Sequence, residues 1–583
     1  MNLTDTYPQP ITAEMKRSGF IARFWPYLLL ISLLAVVFVA LALRGFELGF
    51  VGDVLAYEYH YDRLGIQGGM NWLVNVEWRR HLLAAIYSAP IHLLFPGQSA
   101  PWYAVAFFIH FINGVMVFLL VDTIMRGQRR WIAFSTAVIF VFHSLQIVSH
   151  FEYPTGSHRK AAMFLALLSL WLYLQYVRHK RQNRWWREFS LATYMVAVAS
   201  YEQTAFFFLL HPIIAYFEDR PVQNWGRWLV RVALDSFWYP VFFAAYMFVL
   251  NEVYVDSDHV AFSISRMVEQ VTGALRVELS PAEFWSRLAP AFEGGWLVFT
   301  IAVGAGIFAL LWLWQQRNNE EDFNTERISP LPTREQGELL LLIFGAAIMI
   351  VTILAVAPTN WSLPLHPRLI YPTSVGFALI VGGGLPLLLR RVPGVVIHKG
   401  VFALVVAFLV STGTTRMFQV QQNYLHEYES REAVKTAIFE AVPSWNGDTP
   451  PYLLIYSDSH PRRDLALHAQ DVKFPLMFDM MYGVDGIAAD AIYPDVPASS
   501  APAPDVPGSR YNGPFIVVEP EGIYSPLQPG VPIDPQRLII LYYDSRTKTA
   551  QVVDEIPADV LANANIIERA PIEWRTNYDL IGS

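Results

Sequence analysis

The stretch HPRLIYPTSVGF, residues His366–Phe377, stands at the start of a long apolar segment. Arginine is costly near hydrocarbon and Pro372 lacks a backbone donor, so this is an unusual way for a membrane helix to begin. Two interpretations of Arg368 are open. The guanidinium faces an anionic lipid headgroup, or it simply snorkels to the membrane interface. Either one places this stretch at a membrane surface.

The composition is that of a membrane protein. Of the 583 residues, 54% are hydrophobic and only 16% are charged, whereas soluble chains are about a quarter charged. Long uncharged runs recur, which predicts a polytopic α-helical membrane protein. The net charge of −8 provides no excess of positive charge that would bind nucleic acid. The absence of cysteine excludes disulfides, thiol catalysis and cysteine-bound metal.

We predict about eleven transmembrane helices, taking roughly 20 apolar residues as the length that crosses a bilayer. The apolar run 81–95 is shorter and is predicted to be an interfacial or re-entrant helix. The predicted spans lie near residues 24–44, 101–125, 131–150, 160–177, 188–201, 203–217, 232–253, 296–315, 337–357, 368–389 and 399–415.

Basic clusters flank these spans on one side of the predicted layout. They comprise Lys16, Arg17 and Arg23; Arg126, Arg129 and Arg130; Arg178, Lys180, Arg181, Arg184 and Arg187; Arg220, Arg227 and Arg231; and Arg390, Arg391 and Lys399. The positive-inside rule makes that side cytoplasmic. The protein is therefore predicted to be integral to the cell membrane, with a cytoplasmic amino terminus.

This layout divides the chain into three parts. They are a cytoplasmic segment (1–23), a transmembrane domain (24–415) with outer loops at 45–100 and 254–295, and an extracytoplasmic soluble domain (416–583). In the last part a polar helix is predicted over 419–442, and strands over 451–458, 513–520, 537–544 and 549–556. We expect an α/β or α+β domain that packs over the first outer loop.

The first outer loop carries three acids and a histidine near the membrane surface: Asp53, Glu58, His60 and Asp62. Carboxylates in such a place can serve as a general base or bind a metal ion. The plainer interpretation is a solvated loop with ordinary charges. Histidine spacings match no zinc motif, so no metal ligand is assigned, although a divalent ion would suit these carboxylates.

More polar groups cluster near the predicted outer ends of later spans: His143, Gln146, His150, Glu152, His158, Arg159 and Lys160. A lone histidine there is usually a packing residue, but several polar groups at one membrane face favour a functional site. Glu202 lies between two short apolar segments, where it either caps a helix at the interface or joins a site.

In their order along residues 20–415, these stretches resemble the GT-C superfamily of integral-membrane glycosyltransferases. They are most similar to bacterial relatives of the O-mannosyltransferases that carry tetratricopeptide repeats. The late motif of that family is similar to Arg368–Phe377, its "Ser-Lys-Glu" stretch to SYEQ (200–203), and its His-Pro and Gly-Arg stretch to HSLQ…TGSHRK (143–160). The repeats themselves are missing here. The resemblance also implies that the apolar run 24–43 is an uncleaved anchor.

The resemblance implies a sugar donor linked to polyprenyl phosphate, with its phosphate at the outer membrane face. Asp53 would then be catalytic. Val54 stands where the family has a second acid, and Glu58 would compensate for that missing acid. Arg368, Tyr371 and Arg159 would bind the donor phosphate, and His143 and Glu202 would support the site. The implied partners are the lipid-linked donor, membrane lipids and an acceptor whose identity the motifs leave open.

Two functions of different classes follow. The first is an inverting glycosyltransferase that moves a sugar from a polyprenyl-phosphate donor to an outer-face acceptor. The alternative is a non-catalytic GT-C-like scaffold or accessory subunit of a membrane protein complex. Val54 and the unfamiliar carboxy-terminal domain favour the alternative.

Overall fold

The computed structural model describes most of the transmembrane region and parts of the remaining chain. The described residues are 27–28, 31–32, 35, 44–49, 53–73, 82–127, 129–143, 157–219, 224–253, 265, 268–269, 271–273, 276, 280–317, 334–356, 367–392, 394–446, 449–457, 478–479, 481–483, 487–492, 516–519, 522–524, 532–562, 566–568 and 575–581. Most of the predicted first span, and the first part of the loop 254–295 up to residue 264, therefore lie outside the described residues.

The chain forms two compact units. The first contains Met1–Phe46, Trp78–Tyr87 and Tyr103–Val420. The second joins two pieces of the first outer loop, Glu47–Glu77 and Ser88–Trp102, to the carboxy-terminal part Gln421–Ser583. Tyr59 and Asp479 show this association directly, because the tyrosine hydroxyl donates to the carboxylate over 3.3 Å.

Helices dominate the described chain. They are α1 (Asp53–Trp72), α2 (Leu82–Leu94), α3 (Ala100–Ile124), α4 (Arg130–Val141), α5 (Ser157–Arg178), α6 (Arg184–Ser200), α7 (His211–Asp219), α8 (Trp225–Ser236), α9 (Trp238–Val253), α10 (Pro281–Leu288), α11 (Trp296–Arg317), α12 (Arg334–Val356), α13 (Pro367–Leu389), α14 (Val395–Ala441) and α15 (Ala558–Ala562). Short 3₁₀ helices cover Glu202–Leu210, Ala289–Phe292, Pro535–Arg537 and Tyr578–Leu580.

Six of these helices, α3, α5, α11, α12, α13 and α14, are long and apolar enough to cross a membrane. The protein is thus a mostly helical membrane protein. Where two short adjoining spans were predicted over 188–217, the structure has α6, a nine-residue 3₁₀ helix and α7. The predicted span 232–253 is divided between α8 and α9. The total of eleven spans stays a prediction.

Helices α12 and α13 pack closely because glycines stand at their crossing. A Cβ atom added to Gly376 would lie 2.6 Å from the carbonyl oxygen of Gly345, and one on Gly383 would lie 2.4 Å from that of Glu338. Both distances are shorter than real side chains allow, so only glycine permits this approach. The close packing holds α13 rigidly, and with it the backbone of the motif that begins at Arg368.

Shared carboxylates bring several predicted basic clusters to one end of the first unit. Glu218 pairs with Arg126 at 3.0 Å and with Arg178 at 2.6 Å. Glu338 pairs with Arg129 at 2.6 Å and with Arg390 at 2.8 Å. Arg126 follows α3, Arg129 precedes α4, Arg178 ends α5 and Arg390 follows α13. The sequence-based prediction placed the same clusters on one side of the membrane.

The described strands of the second unit form two four-stranded sheets. The strands are β1 (Tyr452–Ser457), β2 (Ala488–Ile492), β3 (Ile516–Glu519), β4 (Gly522–Tyr524), β5 (Pro532–Ile533), β6 (Leu538–Asp544), β7 (Thr549–Val552) and β8 (Ile566–Glu568). The orders are β2-β1-β6-β7 and β5-β4-β3-β8. β1 runs parallel to β2 and β6, β3 parallel to β8, and the other pairs are antiparallel.

The central strands β1 and β6 are buried on both faces. Leu453 and Leu541 pack in one cluster with Ile438 of α14, whereas Leu454 and Ile540 pack in a second cluster on the opposite face. Burial on both faces explains why these two strands read as continuous apolar runs rather than as alternating ones.

Candidate functional site

A carboxylate on α1 is fixed inside the second unit. Glu58 is fully buried, with a relative exposure of 0%. Its Oε2 lies 2.7 Å from Nδ1 of His92, and its Oε1 accepts a hydrogen bond of 2.8 Å from Nε1 of Trp102. Since both oxygens are engaged and shielded from solvent, the carboxylate of Glu58 is positioned to orient His92, and its catalytic role stays a prediction.

The other nitrogen of His92 faces a second carboxylate. A carboxylate only accepts, so Nδ1 of His92 carries the proton toward Glu58, and Nε2 presents a lone pair when the ring is neutral. Nε2 lies 3.8 Å from Oδ1 of Asp62, whose side chain is 53% exposed. Tyr61 stacks on the imidazole at 5.1 Å and is itself held by a 2.6 Å hydrogen bond to Ser88.

Two kinds of chemistry suit this arrangement. A histidine backed by a carboxylate is the arrangement that orients a general base. The same arrangement also orients a metal-bound histidine, and ligand atoms of Glu58, Asp62 and His92 lie within 4.8 Å of one another. With Glu58 engaged elsewhere, Nε2 of His92 and Asp62 would supply the direct ligands of such an ion.

His60, another candidate of the first outer loop, is neutral. Burial, with a contribution from Arg63, lowers the pKa of His60 to about 4. Its ring stacks on Trp72 at 3.7 Å. His60 and Trp72 both belong to α1, so this contact of an uncharged imidazole with an indole packs two parts of the same helix against each other.

Three predicted site residues are described in their backbone alone. Asp53 is the first residue of α1, Glu202 begins the 3₁₀ helix after α6, and Arg368 lies in the first turn of α13. Their side chains, together with His150, Glu152 and Gln146, lie outside the described part of the chain. The catalytic and phosphate-binding roles of Asp53 and Arg368 stay predictions.

A buried hydrogen-bond network joins the first turns of α5 and α13. Asn113 of α3 donates to the carbonyl oxygen of Lys160 over 2.8 Å and to the hydroxyl of Tyr371 over 3.0 Å. His110 donates from Nε2 to the carbonyl of Val141 over 3.1 Å, so its Nδ1 accepts from Tyr371 over 3.0 Å. Tyr371 thereby fixes the backbone of α13 one turn after Arg368, and its phosphate-binding role stays a prediction.

The first turn of α5 is basic and buried. Arg159 is 8% exposed and Lys160 is 2% exposed, and Cζ of Arg159 lies 5.3 Å from the ring centroid of Tyr201. His143, beyond the end of α4, is 4% exposed and packs edge-on against Phe377 of α13 at 4.8 Å. The structure thus gathers Arg159, His143 and the start of the Arg368 motif at one end of the first unit.

Several of these residues were not predicted as functional. His92 is separated from Glu58 by 34 positions, and its apolar neighbours in α2 suggested only an interfacial helix. Lys160 was noted within a polar cluster, but Arg159 alone matched the family motif. Asn113 lies within an apolar span of 25 residues, where a polar amide is the one signal that could have revealed it.

No protein-family model and no curated protein sequence matches the chain. Among solved structures, the chain is similar to ArnT from Cupriavidus metallidurans bound to undecaprenyl phosphate. The identity is 13% and the TM-score 0.36, over 73% of this chain and 82% of that chain. It is also similar to the apo oligosaccharyltransferase of Archaeoglobus fulgidus, with 14% identity and a TM-score of 0.39 over 74% of this chain and 62% of that chain.

A third similar structure is the archaeal oligosaccharyltransferase AglB from Archaeoglobus fulgidus in complex with an inhibitory peptide and a dolichol-phosphate. The identity is 14% and the TM-score 0.37, over 80% of this chain and 65% of that chain. These enzymes are GT-C glycosyltransferases, the superfamily that the sequence motifs resemble. At this structural distance no residue role is transferred from them to this chain.

Proposed function

We propose that the protein is a membrane glycosyltransferase that moves a sugar from a polyprenyl-phosphate-linked donor to an acceptor at the outer membrane face. The observation that carries this proposal is the buried Glu58–His92 pair, with Asp62 3.8 Å from the free imidazole nitrogen. It gives the first outer loop an oriented proton acceptor beside an exposed carboxylate, in the loop where the family motif has its acids.

The donor class comes from the ordered motifs. Undecaprenyl phosphate and dolichol phosphate, which two of the similar structures hold, belong to this class of lipid. In the proposed reaction the acceptor atom attacks the anomeric carbon of the sugar, the bond from that carbon to the phosphate oxygen breaks, and the phosphate keeps the electron pair. The acceptor proton passes to a base of the first outer loop. A single displacement without a covalent intermediate inverts the anomeric centre.

The proposed orientation follows from the two ends of α5. Arg178 at its carboxyl end belongs to the paired basic cluster, which the positive-inside rule makes cytoplasmic. The helix has 22 residues, and at 1.5 Å per residue it spans roughly 33 Å, about the thickness of the hydrocarbon layer. Arg159 and Lys160 at its other end then lie near the outer face, where a lipid phosphate would sit.

A non-catalytic scaffold is the second candidate, and Val54 beside Asp53 is the observation that favours it. The two candidates differ in one direct test. Purified protein is incubated with a panel of polyprenyl-phosphate sugars and candidate acceptors, and transfer is measured by mass spectrometry. We expect sugar transfer for at least one donor, and a well-folded but inactive Asp53→Asn variant would give the base role to Asp53, as the family motif implies, rather than to His92. Absence of transfer across the panel, with intact folding, would favour the scaffold.

Arg368 provides a further prediction. Arg368→Ala is expected to lower kcat/KM by roughly ten- to hundredfold, because a charge-assisted contact is worth about 1.5–3 kcal/mol and the phosphate gains charge as the sugar departs. Arg368→Lys should recover part of this loss, since lysine lacks the planar pair of donors. The measurement is donor affinity and thermal stability for both variants.

A snorkelling arginine would give the opposite pattern. Lysine would then replace Arg368 almost completely, and alanine would lower the melting temperature while leaving donor affinity unchanged. Because the two patterns differ in both measured quantities, the pair of variants separates the two interpretations of the opening motif.

A further inference from the structure

The first turn of α5 holds a buried lysine that has no acidic partner among the described residues. Lys160 is 2% exposed, and its Nζ makes no hydrogen bond to any described residue. Within the part of the chain that the structure describes, no carboxylate lies within ion-pair distance of it. The charged neighbour that acts on Lys160 is Arg159, which has the same sign.

The local electrostatics make this placement more costly. A helix amino terminus carries a partial positive charge and leaves its first backbone N–H groups without partners inside the helix. Acidic residues therefore favour that end, yet the first turn of α5 contains none and instead contains His158, Arg159 and Lys160. Side chains of a helix lean toward its amino terminus, which favours a position of Nζ of Lys160 near this same end.

Removing a charge from water costs several kcal/mol unless it is paired. The protein nevertheless builds a well-packed environment around Lys160, since Asn113 binds its carbonyl oxygen at 2.8 Å and also binds Tyr371 at 3.0 Å. The network fixes the backbone of Lys160 next to the start of α13. A buried lysine whose Nζ has no partner in the described part of the chain is suited to a partner that arrives from outside.

We propose that Lys160 and the first turn of α5 bind a phosphate group. Phosphate is recognised by a lysine point charge, and the partial positive charge of a helix amino terminus, which this turn supplies, favours the same anion. If the proposed function holds, the phosphate is that of the lipid-linked donor, and Lys160 contacts it beside the predicted ligands Arg159 and Arg368. Lys160 then binds the leaving group, and the incoming anion supplies the missing countercharge.

The test measures binding and stability of the full-length protein in detergent or nanodiscs. Undecaprenyl phosphate, undecaprenol and inorganic phosphate are titrated into the wild type and the Lys160→Met and Lys160→Arg variants. Lys399→Met serves as the matched control, because Lys399 lies in the same unit and its Nζ already donates to the carbonyl of Gln315 over 3.1 Å.

We expect Lys160→Met to weaken undecaprenyl phosphate binding roughly ten- to hundredfold, the effect of losing one charge-assisted hydrogen bond. The melting temperature of the ligand-free variant should stay equal or rise, because an uncompensated charge is gone. Lys160→Arg should retain part of the affinity, Lys399→Met should bind normally, and undecaprenol should not bind detectably. Binding of inorganic phosphate with the same dependence on Lys160 would also support the site and identify a free phosphate as a ligand.

Unchanged phosphate affinity in Lys160→Met would overturn the proposal, as would a wild type that binds neither phosphate ligand. A lower melting temperature with unchanged affinity would make Lys160 a structural residue. These readouts do not depend on sugar transfer. Transfer that persists with normal donor affinity in Lys160→Met refutes this site alone, whereas phosphate binding without transfer refutes the proposed function alone.

Discussion

His92→Ala is expected to reduce sugar transfer by roughly 10²- to 10⁴-fold, the usual contribution of a positioned general base. The imidazole is the one group of the cluster that Glu58 orients at one nitrogen while the other faces Asp62, at 3.8 Å. The measurement is kcat with the donor and acceptor found by the panel. His426→Ala, which changes an exposed histidine of α14, is the control and should retain wild-type turnover.

A companion variant tests how His92 is oriented. Glu58→Gln keeps the size of the side chain but removes the charge that holds the Nδ1 proton, so we expect a smaller loss than in His92→Ala. Full activity in His92→Ala would contradict the base assignment and return the role to Asp53 or Asp62.

Treatment with a chelator tests the alternative that the cluster binds a metal ion. EDTA should leave the wild-type rate unchanged, and loss of activity that a divalent cation restores would make His92 and Asp62 metal ligands.

Features with a strong local pattern could be predicted from the sequence. The runs at 451–458, 513–520, 537–544 and 549–556 contain β1, β3, β6 and β7. Their β-branched and aromatic residues favour strands, and turn residues separate them. The basic clusters could also be recognised in the sequence, whereas the side of the membrane on which they lie stays a prediction. Their pairing through Glu218 and Glu338 required the structure.

Element boundaries and long-range pairs were less predictable. A membrane span over 399–415 and a separate polar helix over 419–442 form one helix, α14, of 47 residues. No proline interrupts the join, so backbone hydrogen bonding continues although the outward residues change from apolar to polar. The Glu58–His92 pair could not be predicted for another reason. A buried contact between two helices that are distant in the sequence produces no periodic pattern in the sequence of either helix.

Glu338→Ala is expected to destabilise the membrane unit by roughly 3–5 kcal/mol, the typical cost of leaving buried charge without its partner. Glu338 is fully buried and pairs with Arg129 at 2.6 Å and Arg390 at 2.8 Å. Alanine would leave both guanidinium groups, whose side chains are 20% and 26% exposed, close together without a countercharge. The readout is the apparent melting temperature and the half-life of the purified protein in detergent.

A surface pair provides the control for this effect. Arg187 and Glu188 also lie 2.6 Å apart, but the glutamate side chain is 46% exposed. Glu188→Ala should therefore cost only about 0–1 kcal/mol, because solvent screens exposed pairs. Equal losses in Glu188→Ala and Glu338→Ala would contradict the importance of burial.

The triple variant Arg129→Met, Glu338→Leu and Arg390→Met gives the strictest test of the triad. If the loss in Glu338→Ala comes from two uncompensated cations, removing all three charges should restore most of the stability, since apolar replacements of a buried ion network are often neutral or stabilising. A triple variant as unstable as Glu338→Ala would contradict this explanation, because leucine fills the space of the glutamate and no uncompensated charge remains, and would assign the loss to the interactions of the ion network itself. Recovery of stability would identify charge compensation as what joins the start of α4 and the end of α13 to α12.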